Sequence, residues 1–393
     1  MKEIFLGFFF DKKKEEELRG ACKTGISMAV NQYQEGFLKG LNRKIDIVSA
    51  TAIKAFSKTN HRLIFNRDSA ETEYGHIVYL PFINFYFIRE MFFEIEAYKE
   101  LKKRLSKNEM NVIYVYSLDI SFLKVIKKLK KENENVHCCL IITDLPGSKG
   151  FLANSKTLSG YRDRAEERIK YKLSHVADSY VFLTEKMKDS FPDRPYVVIE
   201  GFLPTCSFPK NVKRQPKSIL YTGSLHKSLG VDRLLEAFKG INDNEYELWI
   251  CGAGGIQTIV EKCAEEDKRI KYMGFLSKDE ISLLQVKCDV LVNPRSGKDE
   301  YTKYSFPSKT MEYLLSGSKV VMYELAGIPK KYYEYIKTVN GESTENLRRA
   351  LIDACDDMEF YREKSFQQIS WVSTEKSFNK QVEKLNTILN KEM

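Results

Sequence analysis

The chain is 393 residues long, with 43% hydrophobic and 30% charged residues and a formal net charge of +9. That length exceeds what one hydrophobic core usually organises, so the composition describes an ordinary globular protein of two domains and excludes a disordered or fibrous one. No apolar run approaches the roughly 18–20 residues that span a bilayer, and the basic excess forms no nucleic-acid reader motif, so membrane-spanning and nucleic-acid-binding functions are set aside.

The opening stretch Met1-Lys-Glu-Ile-Phe-Leu-Gly-Phe-Phe-Phe10 is too short for a signal peptide and lacks a small-residue cleavage site, so it reads as a first core strand over 3–10. Further strands are expected at 45–49, 76–80, 111–116, 137–143, 179–183 and 196–199, with helices between them. Lys23-Thr-Gly25-Ile-Ser27 precedes an expected helix over Met28–Leu41. Gly25 reads equally as a structural turn and as a loop glycine that approaches a ligand. Aromatic residues crowd Pro81–Tyr98 ahead of Lys102-Lys-Arg104, the pattern of a core helix with a solvated end. The alternative there is a face that dips into a membrane surface. Leu140-Ile-Ile-Thr-Asp-Leu-Pro146 delivers Asp144 to the end of an apolar strand. A carboxylate in that position can orient or deprotonate a hydroxyl, and the plainer reading is a turn cap.

Residues 1–205 hold 34 basic against 27 acidic side chains, most of the chain's excess. A basic half suits anionic headgroups or phosphorylated ligands, while a single cluster such as Lys124–Lys131 reads as a solvated helix face. The eight cysteines form no CxxC and sit mostly in apolar runs, as expected of reduced core thiols in a cytoplasmic protein. The five histidines show no metal-ligand spacing; His137 starts a core strand and His226 lies in an exposed loop.

Beyond a linker rich in Pro and Lys (Gly201–Pro204 and Lys210–Pro216), the second half alternates strand and helix more cleanly. Ser218–Gly223, Tyr246–Cys251, Arg269–Gly274 and Asp289–Arg295 read as strands that stop at glycine or proline. Ser277-Lys-Asp-Glu280 is a capping-box signature before a helix. Alternation with short loops predicts a doubly wound parallel sheet, whose ligands bind beyond the carboxyl ends of the strands. The most informative segment is Tyr304-Ser-Phe-Pro-Ser-Lys-Thr-Met-Glu312. Proline opens a helix there, its free N–H groups point from the loop, Lys309 adds a cation and Glu312 a hydroxyl acceptor one turn on. A phosphate site beside a hydroxyl acceptor points to a nucleotide. Gly252-Ala-Gly-Gly255 does not complete a dinucleotide fingerprint, and no P-loop is present. After Trp371, residues 374–389 read as one helix with apolar positions Phe378, Val382, Leu385 and Leu389, returning to the first domain.

These segments together resemble retaining glycosyltransferases of the two-Rossmann GT-B fold, family 4, of the bacterial capsule and exopolysaccharide type. The similarity is strongest over "ILYTGSLHKSLGVDRLLEAF", "LWICGAGG", "YMGFLSKDEISLLQVKCDVLVNPR" and "FPSKTMEYLLSGSKVV", and extends to "ITDLPG", "FLTEKMKD" and "VIEGFLP". The resemblance implies α/β architecture in two doubly wound parallel-sheet domains with a cleft between them. It places an acceptor domain over 1–205, a nucleotide-sugar domain over 206–371, and a terminal helix 372–393 against the first. The implied reaction moves a sugar from a nucleoside diphosphate to a hydroxyl, with retention and without metal or cofactor. The implied partners are the donor, a saccharide or lipid-linked saccharide acceptor and, peripherally, the inner leaflet of a membrane, with no nucleic acid. On this basis Ser308 and Lys309 serve the diphosphate, and Glu312 serves ribose. Gly223 and Ser224 approach the phosphates, while Phe275 and Leu276 border the base. Asp144 acts on the acceptor, and Arg295 on leaving-group charge. Tyr304 occupies the family's first acidic position, and Ser224 and Leu229 stand where it commonly has Arg and Lys. Those departures keep open a non-catalytic partner subunit, and the shared fold keeps open a sugar-nucleotide epimerase.

Overall fold

The computed structural model describes residues 1–21, 28–51, 53–56, 62–145, 158–205 and 207–389. The chain divides into two compact units, Met1–Phe202 with Phe378–Met393, and Leu203–Ser377.

The first unit contains strands β1 (Lys2–Gly7), β2 (Asp46–Ser49), β3 (Ile64–Phe65), β4 (Asp68–Thr72), β5 (Gly75–Tyr79), β6 (Phe82–Ile83), β7 (Asn111–Tyr116), β8 (Val136–Ile142), β9 (Ser179–Phe182) and β10 (Tyr196–Val198). Its helices are α1 (Lys12–Ala21), α2 (Met28–Leu41), α3 (Tyr86–Arg104), α4 (Ile120–Glu132) and α5 (Leu158–Ser174). The main sheet runs β10-β9-β8-β7-β1-β2-β5-β4. All its pairings are parallel except β4 against β5. Every residue of β7 and β8 is buried, as expected of strands covered on both faces.

The first strand ends at Gly7 rather than residue 10. Beyond it the backbone bonds to side chains of α2, with Phe8 N donating to Gln34 Oε1 (2.7 Å) and Phe10 N to Asn31 Oδ1 (2.9 Å). Phe9 and Phe10 stay buried without any strand partner. The β4 edge and the small β3–β6 pair were not expected. β4 reads Asp-Ser-Ala-Glu-Thr and has no buried residue, so it carries no apolar signal. His137 does begin the core strand β8, where its Nε2 lies 2.8 Å from Ser179 Oγ. The six described cysteines are buried and free.

The second unit holds β11 (Gln215–Thr222), α6 (Val231–Lys239), β12 (Glu247–Cys251), α7 (Gln257–Glu266), β13 (Ile270–Tyr272), α8 (Lys278–Lys287), β14 (Cys288–Asn293), α9 (Lys309–Leu315), β15 (Lys319–Met322), β16 (Ile336–Thr338), α10 (Thr344–Asp356) and α11 (Phe360–Glu375). Its sheet is parallel throughout, in the order β13-β12-β11-β14-β15-β16. The predicted capping box is formed: Ser277 Oγ accepts from Glu280 N, and the Glu280 carboxylate accepts from Ser277 N. Away from the loop edge, Lys319 Nζ pairs with Asp289 at 3.0 Å, the two side chains 5% and 6% exposed. The Tyr361 hydroxyl of α11 also donates to that carboxylate at 2.9 Å.

The single helix expected over 374–389 is corrected. α11 ends at Glu375, and the first unit receives two short helices, α12 (Phe378–Glu383) and α13 (Asn386–Leu389). Lys376 caps α11 with non-helical dihedrals, and Phe378 then turns onto Phe202 (ring centroids 5.9 Å apart) under the Lys39 ammonium of α2.

Candidate active site

Parallel strands deliver their loops to one edge, and in the second unit those loops are stitched together by backbone contacts. Gly223 N donates to Cys251 O (3.0 Å), and Gly252 N to Gly274 O (2.8 Å). A Cβ on Gly252, which has φ +138°, would lie 1.8 Å from Gly223 O, so only glycine fits where these loops cross. Leu225 N donates to Ala253 O (3.0 Å), and Ile256 N to Leu225 O (3.1 Å). On the other side Gly230 (φ +77°) lies against the Pro294 carbonyl, where a Cβ would come within 2.1 Å. The weak glycine run 252–255 is therefore a close turn packed on the loop after β11.

The helix that opens after Phe306-Pro307 is shorter than the sequence pattern indicates. Thr310 N donates to Pro307 O (2.9 Å), and α9 runs only from Lys309 to Leu315. Ser308 sits at its N-cap, exposed and without a side-chain capping bond. Tyr313, fully buried, fixes this helix to the sheet: its hydroxyl accepts from Thr222 N (3.1 Å) at the end of β11 and donates to Thr222 O (3.3 Å). Burial pushes the Tyr313 phenol far above its ordinary range, so it remains a neutral anchor.

Glu312 and Lys309 meet directly. Lys309 Nζ donates to both carboxylate oxygens (2.8 and 3.1 Å), and Gln285 Nε2 of α8 donates to Oε1 (2.6 Å). A carboxylate has about four lone-pair sites, so one acceptor position is left on Glu312. The Lys309 charge also reaches β12: burial pushes the Cys251 thiol up to about 11, with the ammonium opposing the rise. Arg295 approaches the neighbouring strand in the same way. Burial raises the Tyr221 phenol to about 12, and the guanidinium opposes it. Arg295 makes no ion pair among the described residues, its guanidinium lies 5.7 Å from the Tyr301 ring centroid, and its buried Nε has no hydrogen-bond acceptor there.

Of the other expected residues, Gly223 is half-buried, Ser224 is exposed and Leu276 is half-buried beside Phe275, which is 86% exposed. Tyr304 ends a one-turn helix, Glu300–Tyr304, and is half-buried. Gly223, Ser224, Arg295, Ser308, Lys309 and Glu312 thus share one sheet edge, with Phe275 and Leu276 following Gly274 on it. In the first unit Asp144 stands in an exposed bend just past β8, and Gly25 lies outside the described residues.

Sequence reasoning missed several groups. Gln285 and Tyr313 act through elements distant in sequence, and nothing local marks them. Ser305 Oγ and Thr310 Oγ1 are buried without partners among the described residues. In the first unit, Ser117 takes φ +74° just past β7, followed by Asp119, whose carboxylate caps α4 by accepting from Phe122 N (3.1 Å). Burial lifts the Asp119 carboxyl to about 6, with the nearby Glu90 charge adding to the rise. Among the described residues no three His, Cys, Asp or Glu side chains gather as a metal site requires, and no helix is long and apolar enough to cross a membrane.

Residues 216–357 match the family model described as glycosyl transferases group 1. No curated protein matches the sequence. Among solved structures, a sucrose-phosphate synthase from Thermosynechococcus elongatus superposes with a TM-score of 0.67 at 13% identity, over 100% of this chain and 99% of that one. WaaG, a glycosyltransferase involved in lipopolysaccharide biosynthesis, gives 0.60 at 12%, over 98% and 99%. The pneumococcal O-GlcNAc transferase GtfA, solved with UDP and GlcNAc, gives 0.57 at 12%, over 99% of each chain. At such identities the likeness establishes the fold: two parallel-sheet α/β domains of the GT-B type.

Proposed function

We propose that this chain is a glycosyltransferase that moves a sugar from a nucleoside diphosphate to a hydroxyl, with retention and without a metal. The observation that carries the reading is the shared edge of the second unit, within the stretch that matches glycosyl transferases group 1. There a hydroxyl acceptor (Glu312) and two cations (Lys309, Arg295) converge beyond adjacent strand ends. In this reading Glu312 accepts from ribose, Phe275 and Leu276 border the base, and Lys309, Ser308, Ser224 and the Gly223 backbone bind the diphosphate. Tyr304 lies beside the donor sugar. The bond from the sugar's anomeric carbon to the diphosphate breaks, and the diphosphate leaves with the electron pair. The acceptor oxygen bonds to that carbon and gives up its proton. Arg295 stabilises the charge that grows on the leaving group, the largest demand of such a reaction. Asp144 orients the acceptor hydroxyl and takes its proton.

The acceptor we propose is a lipid-linked saccharide of bacterial surface polysaccharide synthesis, met at the inner face of the cytoplasmic membrane. The GT-B likeness to WaaG and the basic excess of residues 1–205 support that choice. A thermal-shift and donor-hydrolysis screen of UDP-, GDP- and dTDP-sugars with EDTA present tests the donor half. One donor should raise the melting temperature and be consumed. No shift and no hydrolysis with any of them would leave a non-catalytic subunit, and conversion of a donor to an isomer without acceptor would make the protein an epimerase.

A further inference from the structure

The aromatic stretch 81–98 was expected to be a core helix with a solvated end, and its described side chains are buried on one face only. α3 buries Phe93, Ala97 and Leu101 on one face, four residues apart. On the opposite face Phe85, Ile88, Met91 and Ile95 are exposed, from 40% at Ile88 to 54% at Met91. The spacing puts them on a single stripe along the helix. Phe56 extends the stripe past the helix start, its ring 5.7 Å from that of Phe85 and itself exposed. Five large apolar side chains on one ridge exceed the scattered exposure normal for a surface.

The ridge has a basic neighbour. α4 packs on α3 and turns Lys124, Lys127, Lys128 and Lys131 outward, again one stripe. Lys124 Nζ reaches Glu94 (3.3 Å) and Lys128 Nζ lies 3.8 Å from the Tyr98 ring centroid, so the row runs beside α3 positions 94 and 98, which flank Met91 and Ile95. The acids of α3 are already matched: Glu94 by Lys124, Glu96 by Lys99 and Arg67, Glu90 by Arg89 and the Ser121 hydroxyl, Glu100 by Arg67 and Arg104. Lys127, Lys128 and Lys131 make no salt bridge among the described residues; Glu132, within the field of Lys128, is itself bridged by Lys102. The surface therefore presents an apolar ridge beside an excess of positive charge.

We propose that the outer face of α3 and the lysine row of α4 dock on an anionic lipid surface, the apolar ridge entering the headgroup boundary and the lysines meeting acidic headgroups. The proposal locates the lipid contact named above but stands on α3 and α4 alone, so it survives or fails independently of the donor chemistry. Charge complementarity selects an anionic lipid surface, because the lysine row beside the ridge calls for acidic groups, and the acids of α3 are already bonded within the chain.

The test is co-sedimentation of the full chain with vesicles of phosphatidylcholine alone, and of phosphatidylcholine and phosphatidylglycerol in equal parts, at low and high salt. Binding is expected to the anionic vesicles and to weaken with salt. Each lysine near the surface contributes about five-fold, so Lys127→Glu/Lys128→Glu/Lys131→Glu should weaken binding at least about 100-fold. Ile88→Ser/Met91→Ser/Ile95→Ser should weaken it at least ten-fold, and circular dichroism melts check that both variants fold. The wild-type comparison between lipids and salts needs no variant. Failure to bind either vesicle, equal binding to both without salt dependence, or binding that both triple variants retain would each overturn the proposal. So would a dimer abolished by the apolar variant in a chain that ignores vesicles, which would assign the ridge to self-association. Donor hydrolysis on the same samples separates the two readings: activity without vesicle binding refutes only the docking surface.

Discussion

Replacing Glu312 separates its structural task from its binding task, because its partners inside the protein are known. Gln285 is fully buried, its Oε1 lacks a partner among the described residues, and its Nε2 spends its bond on Glu312 Oε1 at 2.6 Å. Glu312→Ala leaves that donor without an acceptor, at about 1–3 kcal/mol for a buried group. The Lys309 pair at i,i+3 adds only about 0.2–0.5 kcal/mol. The variant should therefore unfold about 1–3 kcal/mol more easily, while Glu312→Gln, which restores a carbonyl for Gln285, should stay within about 1 kcal/mol of wild type. Binding follows a different order. A hydrogen bond to a charged group contributes about 1.5–3 kcal/mol, so the alanine variant should bind the donor nucleotide about 10- to 150-fold more weakly, with glutamine in between. Lys309, released from the carboxylate, should make that binding more salt-sensitive. Urea melts followed by circular dichroism and calorimetric titration with the nucleotide measure both quantities. An alanine variant that loses stability as expected but binds the nucleotide as tightly as wild type would reduce Glu312 to a support for Gln285 and refute the ribose assignment.

Phe275→Ala should leave stability within about 0.5 kcal/mol, since the ring is 86% exposed. By loss of stacking it should weaken nucleotide binding by about 1–3 kcal/mol, and unchanged affinity in the same titration would remove it from the site. Asp289→Asn strands the Lys319 ammonium at a position 5% exposed, so urea melts should show a loss of about 3–5 kcal/mol. A loss below about 1 kcal/mol would mean that the pair behaves as a surface bridge. Asp119 carries a carboxyl raised to about 6, so the fold favours its protonated form; that contribution is complete below about pH 4 and is lost as pH rises through 6. Relative to Asp119→Asn, which keeps the cap on Phe122 N, wild type should lose about 2 kcal/mol between pH 4 and 7, and parallel pH profiles would show that the carboxyl is not perturbed.

The parallel cores were legible because β7 and β8 are continuous apolar runs, and the capping box at Ser277 because it lies within four residues. What escaped was set by distant partners. β4 is a polar edge strand whose existence depends on pairing with β5, and Phe8–Phe10 leave the sheet because Gln34 and Asn31 offer their backbone other bonds. The apolar residues of α3 carried the same ambiguity: helical spacing is identical for a buried stripe and an exposed one, and only packing on α4 shows which side is covered. At the site, the strand-end glycines and the 304–312 segment announced themselves. The Gln285–Glu312 and Tyr313–Thr222 bonds needed the sheet register, and Arg295 gained its interest from making no ion pair among the described residues, which no local pattern records.

That isolation ranks the two cations. β11 and β12 are adjacent, with Thr222 paired to Cys251, so Arg295 near Tyr221 and Lys309 near Cys251 act from neighbouring strand ends about 4.8 Å apart. With Ser224 and Leu229 in the loop after β11, the cation of that loop is the exposed Lys227, and Arg295 and Lys309 add positive charge from the loop after β14 and from α9. Lys309 shares its charge with Glu312 at 2.8 Å, whereas among the described residues Arg295 meets no carboxylate and keeps a buried Nε without an acceptor. An unsatisfied buried donor costs about 1–3 kcal/mol, so Arg295→Met, which removes it at similar volume, should leave stability unchanged or raise it by about 1 kcal/mol. A group that acts on developing charge lowers kcat more than it raises KM, and the loss for Arg295→Met should be about 100-fold or more. Lys309→Met should cost less, since freeing Glu312 offsets part of the loss, and Arg295→Lys should not recover the rate because an ammonium cannot reproduce the Nε donor. A variant at Arg295 that turns over donor normally while losing more than about 2 kcal/mol of stability would show that the guanidinium holds the loop after β14 and has no part in leaving-group chemistry.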